Sequence, residues 1–383
     1  MTYRMILNER SYFGAGAIKN IPVEVKNRGL KQAIVVTDRG IREAGVCDKV
    51  TDLLDEAGIS YVIYDDVQPN PTVENVQHGV QFVKDHAGDC LIPIGGGSAM
   101  DTAKAIGIIL TNPEFSDVVS LEGTAPTKNK TLATFAVPTT TGTGAEVTIN
   151  YVITDTANKR KFVCVDPNDI PTAAFVDADM VMSMPEKLAA ATGMDALTHA
   201  IEGYITPGAW EMSDMVHIKA IEMMGKAIRA SVAGDKAARE QMSIAQYIAA
   251  MGYSNVGLGL VHGMSHPLSA WYGAPHGYAN SLLLPTIMRW NKDYTGEKYR
   301  DIAVALGVKE AANMPIEEAR EAACQAVADI ARDLDMVAPL HEIGMKMEDI
   351  PLVAKDAKAD VCTAGNPREA SVDDIIALYK EMF

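Results

Sequence analysis

The sequence predicts an α/β domain built on a parallel, Rossmann-like sheet, followed by an all-helical domain. Three observations carry this. Strand-like and helix-like segments alternate through the first half of the chain. The alternation stops near residue 182. From about Pro185 onward, apolar residues recur with a helical period and strand signals are scarce. The expected domains are residues 1–182 and residues 183–383.

Taken in order, "KQAIVVTD" (31–38) reads as a buried strand, followed by one helical segment near 40–57. "SYVIYDDV" (60–67) is a second strand, and "PNPTVENVQHGVQFVKDHAG" opens on a proline turn and continues as an amphipathic helix. "DCLIPI" (89–94) is a third strand and runs into "GGGSAMDTAKAIGIIL". "TLATFAVPTTTGTGAE" is a fourth strand ending in a polar turn. The later segments "MPEKLAAATGMDALTHAIEGY", "MSDMVHIKAIEMMGKAIRASVAG" and "PIEEAREAACQAVADIARDLDM" read as helices.

Composition narrows the function. The 383 residues are 48% hydrophobic, as in an ordinary globular protein, and long enough for more than one core. A net charge of −16 argues against nucleic acid and anionic membrane surfaces as partners. No apolar run reaches the roughly 18 residues of a membrane span, and "MTYRMILNERSYFG" has no signal-peptide core. The five cysteines are scattered and odd in number, which suits a reducing cytoplasm rather than a disulfide framework.

"IGGGSAMD" lies between a strand and a helix. Its glycines let backbone approach a ligand closely; Ser98 suits an N-cap and Asp101 the partner of a capping box. Free N–H groups at a helix start favour phosphate, although the same turn also serves with no ligand at all. "PTTTGTG" (138–144) is a second hydroxyl-rich loop after a strand, where open α/β sheets bind ligands. Asp38, at the end of the first strong strand, would accept hydrogen bonds from a ribose and repel a 2′-phosphate; taken alone it reads more simply as a helix N-cap.

Asp195 and His199 stand four apart in "GMDALTHAIEGY", on one helix face, and suit either a simple hydrogen bond or half of a metal site. His262 and His266 repeat the spacing. Pro267 disfavours helix at His266, so the helix is expected to end or kink there, turning the two rings apart. His276, between Pro275 and Gly277, marks a turn or helix start. Three imidazoles and one carboxylate suit Fe²⁺, Zn²⁺, Co²⁺ or Ni²⁺ better than Mg²⁺ or Ca²⁺.

"GGGSAMD", "PTTTGTGAE", "GMDALTHAIEGY" and "GLVHGMSHPLSAWYGAPHG", in this order, resemble the iron-containing (group III) alcohol dehydrogenases over essentially the whole chain. The resemblance implies an architecture shared with dehydroquinate synthase and NAD(H)-linked alcohol–aldehyde chemistry. It implies Fe(II), with Zn(II) as the alternative, on Asp195, His199, His262 and His276, with His266 beside the metal as proton relay or as support for the ligands. It puts Asp38 and Asn70 near adenosine and ribose, and Gly96, Gly97, Ser98 and Asp101 at the pyrophosphate. Thr139, Thr140 and Thr143 would line the nucleotide cleft between the domains, with Asn150 and Lys161 further along. "EVTINYVITD", "KFVCVDPNDIP", "YSNVGLGLVHGM" and "DVCTAGNPREA" resemble members acting on short 1,2-diols and hydroxyaldehydes, which puts Asn150, Val152, Tyr253, Leu258 and Cys362 around the substrate. A homodimer joined through "RMILNE" (4–9) is implied as well. The chain departs from the family where Ala99 replaces a common proline, in "TTTGTG", and in "WYGAPHG". Broader short-chain alcohol or 1,3-propanediol oxidation is the alternative within the family. A lyase of the dehydroquinate synthase type would need Lys and Arg clusters in which residues 185–280 are poor.

Overall fold

The computed structural model describes residues 2–158 and 160–383. They form two compact units, one reaching to Thr140 and resuming over Gly144–Ser183, the other comprising Thr141–Thr143 and Met184–Phe383.

The first unit contains strands β1 (Arg10–Phe13), β2 (Gln32–Val36), β3 (Ser60–Tyr64), β4 (Cys90–Gly95), β5 (Ala133–Pro138), β6 (Asn150–Asp155), β7 (Arg160–Val165) and β8 (Ala173–Val176). Its helices are α1 (Ile21–Asn27), α2 (Arg39–Glu43), α3 (Asp48–Ala57), α4 (Val73–Asp85), α5 (Gly97–Thr111) and α6 (Ala178–Val181). Six strands pair in parallel in the order β1-β8-β5-β4-β2-β3. The central strands read as unbroken apolar runs because both faces are covered. On β2, Ile34 and Val36 pack with Val76, Val80 and Ile106 of α4 and α5; the intervening Ala33 and Val35 pack with Ile21, Val25 and Leu54 of α1 and α3. Chain order reverses between β2 and β4, the switch point at which such sheets receive a ligand.

β6 and β7 form a separate antiparallel hairpin in which buried and less buried residues alternate. Tyr151, Ile153, Phe162 and Cys164 supply its buried side. A lysine ties the start of the hairpin to α5. The Lys104 Nζ, fully buried, donates to the carbonyls of Thr148 (2.7 Å) and Asn150 (2.9 Å) and to Thr148 Oγ1 (2.7 Å). Burial lowers its pKa, while Asp169, Asp101 and Glu146 oppose that shift.

The second unit is helical: α7 (Glu186–Ile205), α8 (Glu211–Val232), α9 (Lys236–Val256), α10 (Leu260–Tyr272), α11 (His276–Asn291), α12 (Lys298–Ala305), α13 (Ile316–Asp333), α14 (Ile350–Ala359) and α15 (Val372–Glu381). One apolar core joins Leu197, Ile221, Met224, Met264, Leu283 and Val327. From Gly193 to Ile205, α7 is buried on every face, so it runs through the middle of this unit.

Three expectations are corrected. The helical stretch near 40–57 is two helices, because the chain turns through Gly45 at φ 69°. Ser98 does not cap α5; Gly96 takes that position without a side-chain bond, and Asp101 Oδ2 accepts the N–H of Val152 (3.0 Å) instead. Pro267 does not end α10, which runs on to Tyr272. The buried Leu260, Val261, Met264 and Leu268 hold the helix against the cost of one missing N–H. Within the single chain residues 4–9 form no strand, and the Asn8 amide donates to the carbonyls of Glu146 and Pro171. Short β1 and β8 and the alternating β6–β7 hairpin are strands that the periodicity did not single out.

Replacing Lys104 by Met should cost ~3 kcal/mol, since it strands buried carbonyls and carboxylates without their cation. Urea unfolding measures this, and an unchanged midpoint would refute the role.

Candidate active site

In the second unit, four side chains from three helices converge. Asp195 and His199 lie one turn apart on α7, His262 is in the first turn of α10, and His276 is the first residue of α11. One ligand atom from each lies within 4.8 Å of all the others. Asp195 Oδ1 is 3.9 Å from His199 Nδ1, 3.9 Å from His262 Nε2 and 3.5 Å from His276 Nε2. Metal–ligand bonds of ~2.1 Å in a tetrahedron put ligand atoms ~3.4 Å apart, so the set needs only a slight contraction to grip an ion. Asp195, His199 and His262 are buried and His276 is partly open.

The chemistry of this donor set fits a divalent metal. Burial holds the pKa of His199 down at about 3 and that of His262 well below normal, so both rings are neutral with lone pairs to offer. The buried His199 Nδ1 has no hydrogen-bond partner. His199 is further pinned by Tyr253, whose ring stacks on it at 4.3 Å and 11° while its hydroxyl donates to the carbonyl of Thr143 (2.5 Å).

Two residues that the sequence did not single out hold the ligands. Glu202, three residues beyond His199 on α7, receives Nδ1–H of His262 at 2.5 Å and the N–H of Val261 at 2.7 Å. Its carboxylate sits at the start of α10, where unpaired N–H groups and the helix dipole favour negative charge. Gly259 makes the room, since a Cβ there would lie 2.8 Å from Glu202 Oε1. Burial nevertheless pushes the Glu202 pKa up to about 7, against those backbone hydrogen bonds. Asn280, one turn beyond His276 on α11, donates from Nδ2 to Asp195 Oδ1 (2.7 Å), and the same nitrogen lies 3.2 and 3.3 Å from Nε2 of His262 and His276. The signal for both was helical spacing from a suspected ligand.

His266 stands apart from this set. It groups with Asp360 and Cys362, and its ring stacks on that of His276 at 5.3 Å. Leu258 is buried, and its carbonyl leaves no space for a side chain on Gly365.

In the first unit, Asp38 and the glycine-rich turn follow β2 and β4, the strands between which chain order reverses. Asp38 caps α2, its Oδ1 accepting the N–H of Ile41 at 2.9 Å. It also borders the turn after β4, where a Cβ on Gly95 would meet Asp38 Oδ2 at 4.0 Å. Gly97 and Ser98 form the first turn of α5. A Cβ on Gly96 would press Thr140 at 3.2 Å, so the two loops touch. The N–H of Thr139 donates to the carbonyl of Gly95 (2.9 Å), leaving its buried hydroxyl unpartnered. Asn70 adopts φ 54° and accepts a hydrogen bond from Lys161 Nζ at 2.7 Å. Val152 and Asn150 lie on β6, Asn150 engaged through its carbonyl by Lys104. Burial pushes the Asp101 pKa up to about 6.

The model of the iron-containing alcohol dehydrogenases matches residues 8–178, and the model of that family's C-terminal region matches residues 189–383. The chain belongs to the iron-containing alcohol dehydrogenases. It is thus an oxidoreductase, as the motifs implied. A lactaldehyde reductase of Escherichia coli (strain K12) is 58% identical over 379 residues, 99% of each chain. An NAD-dependent methanol dehydrogenase of Bacillus methanolicus is 37% identical over 97% of each. The crystal structure of a 1,3-propanediol oxidoreductase superposes with a TM-score of 0.96 at 35% identity, covering all of both chains. As a member of this family, the chain carries the expected α/β and helical parts. No helix among the described residues is long and apolar enough to cross a membrane.

His262→Ala and His276→Ala proteins should lose most of their bound metal, read by elemental analysis after dialysis. Glu202→Ala should weaken metal binding ~10–100-fold by freeing the His262 ring, measured by competition with a chelator. Full metal occupancy in all three would overturn the ligand set.

Proposed function

We propose that this chain is an Fe(II)-dependent, NAD(H)-linked enzyme interconverting lactaldehyde and 1,2-propanediol, working in the cytoplasm as a homodimer. The observation that carries the reading is the 58% identity, over 99% of both chains, to a lactaldehyde reductase. Asp195, His199, His262 and His276 are the metal ligands in this reading. Fe(II) is preferred over Zn(II) on the family's character and the N/O donor set.

When bound, the metal supplies Lewis acidity to the substrate oxygen, and NAD(H) supplies or accepts the hydride. The chain's residues do the rest. Glu202 holds the His262 ring by Nδ1–H, which leaves Nε2 as the donor to the metal. One carboxylate among three neutral rings leaves the occupied site cationic, which favours an oxygen carrying negative charge. His266 exchanges the alcohol proton, directly or through one water.

On the nucleotide side, Gly96, Gly97 and Ser98 offer backbone N–H groups at the start of α5 to the pyrophosphate. Thr139, Thr140 and Thr143 line the cofactor, with Asp101 and Lys161 beside it. Asp38 and Asn70 receive the ribose and adenosine. For substrate, Tyr253 limits chain length, and Leu258 and Cys362 supply apolar walls. The likeness to a 1,3-propanediol oxidoreductase supports a second reading, a broader short-chain alcohol dehydrogenase.

A steady-state panel on anaerobically Fe²⁺-loaded protein separates the readings. Lactaldehyde, glycolaldehyde and 1,2-propanediol should give the highest kcat/KM, and a preference for butanol or 1,3-propanediol would overturn the first. Tyr253→Ala should admit longer or branched substrates. Wild-type protein should strongly prefer NADH to NADPH, and Asp38→Gly should relax that preference by ~1–3 kcal/mol, the scale of one charge-assisted contact. Equal use of both cofactors by the wild type would remove Asp38 from the argument.

A further inference from the structure

Asn280 reaches into the middle of the proposed ligand set. It lies on α11, one turn beyond His276, and is completely buried. Its Nδ2 is 2.7 Å from Asp195 Oδ1, 3.2 Å from His262 Nε2 and 3.3 Å from His276 Nε2. An amide nitrogen carries two hydrogens. One goes to the carboxylate, at the shortest of these distances, and the other is shared between the two rings. The role of the His262 ring is fixed. Its Nδ1–H is donated to Glu202, so its Nε2 presents a lone pair to Asn280. At the other end of the amide, Oδ1 is buried with no hydrogen-bond partner. Asn280 is thus held in this orientation through its hydrogens, by the very atoms that a metal would use.

A ring nitrogen has a single lone pair. His262 Nε2 therefore accepts from Asn280 or binds a metal, but not both, and the same holds for His276. A carboxylate oxygen has more than one lone pair, so Asp195 Oδ1 can do both at once. Metal binding at these ligands is an exchange, in which the ion takes the ring lone pairs and one N–H of Asn280 gives them up. We propose that Asn280 is a positioning residue that stands in for the metal and competes with it. When no ion is bound, its hydrogens draw Asp195, His262 and His276 together, and the helical unit closes around them without stranding buried acceptors. When the ion binds, that bond is surrendered, and the affinity is lower by what the bond was worth. Nothing on Oδ1 resists a turn of the amide as its acceptors are taken. Glu202 and Asn280 then act on the same ring with opposite signs. Glu202 turns Nε2 toward the other ligands in both states, whereas Asn280 favours the metal-free one. This rests on the reading of Asp195, His199, His262 and His276 as the metal ligands.

The test reads metal affinity rather than turnover. Protein stripped of metal is titrated with Zn²⁺ against a chromophoric chelator. Asn280→Ala should bind Zn²⁺ ~10-fold more tightly than the wild type, the scale of one buried hydrogen bond no longer given up. By linkage, its metal-free form should lose more stability in urea than its Zn²⁺-loaded form. A residue that only filled space would weaken both forms alike and leave the affinity unchanged, and one that only supported the ligands would weaken binding. A second measurement is made on wild-type protein labelled with ¹⁵N-asparagine, with Asn280→Asp to assign the side-chain pair. Zn²⁺ should move one N–H of that pair upfield, as its ring acceptor is lost, and leave the one on Asp195 in place. Equal or weaker binding by Asn280→Ala, or an Asn280 pair that Zn²⁺ leaves unmoved, beside a His262→Ala protein that has lost its Zn²⁺, would overturn the inference alone. Full Zn²⁺ binding by His262→Ala would remove the ligand reading and this inference together.

Discussion

The Glu202 carboxylate accepts hydrogen bonds at the start of α10 from the N–H of Val261 and from the ring of His262. That arrangement joins two helices and a candidate metal ligand in one contact. Glu202 shares one face of α7 with Asp195 and His199, so wherever it docks, the turns that carry them arrive with it. The start of α10 is also where a buried carboxylate is best tolerated, because N–H groups and helix dipole supply the compensation that water cannot. Without Glu202, the His262 ring would lose the hydrogen bond that orients it toward Asp195. Asn280 completes the frame from α11 by donating to Asp195. The apolar core of the helical unit closes around this polar centre.

Packing at glycines makes the approach possible. Gly259 admits Glu202, Gly263 admits Thr363, and Gly277 lies where a Cβ would be 2.3 Å from the carbonyl of Ala191. Each removes a side chain at the point where a second element must touch the backbone. The histidine-rich segment is therefore also a glycine-rich one, and the two features have a single cause: ligands can only converge where helices come unusually close.

The α/β unit solves a different problem. Its ligand-facing parts are loops at the switch point of a rigid sheet, and their positions come from the strands that feed them. The β6–β7 hairpin is not part of that sheet, yet Lys104 and Asp101 of α5 hold it from the helix that follows the glycine-rich turn. Buried charge here serves to fix a loop.

Much of this was legible in the chain. Continuous apolar runs marked β2, β4 and β5, because strands covered on both faces carry no polar side. Helical period marked α4, α7, α8 and α13; spacing and histidine density pointed to a metal, and the family resemblance separated Asp195, His199, His262 and His276 from His266. Short-range pattern determined these because each depends only on neighbours a few residues away. The tertiary structure decided the rest. It carried α10 through Pro267, since a buried face outweighs one lost hydrogen bond. It turned Asp101 from a cap into a support for the hairpin. It brought Glu202, Asn280 and Asp360 to histidines 60, 18 and 94 residues away. Glu202 and Asn280 carry a weak signal, helical spacing from a suspected ligand, but Asp360 has none, because its partner is chosen by packing and not by its own place in the sequence.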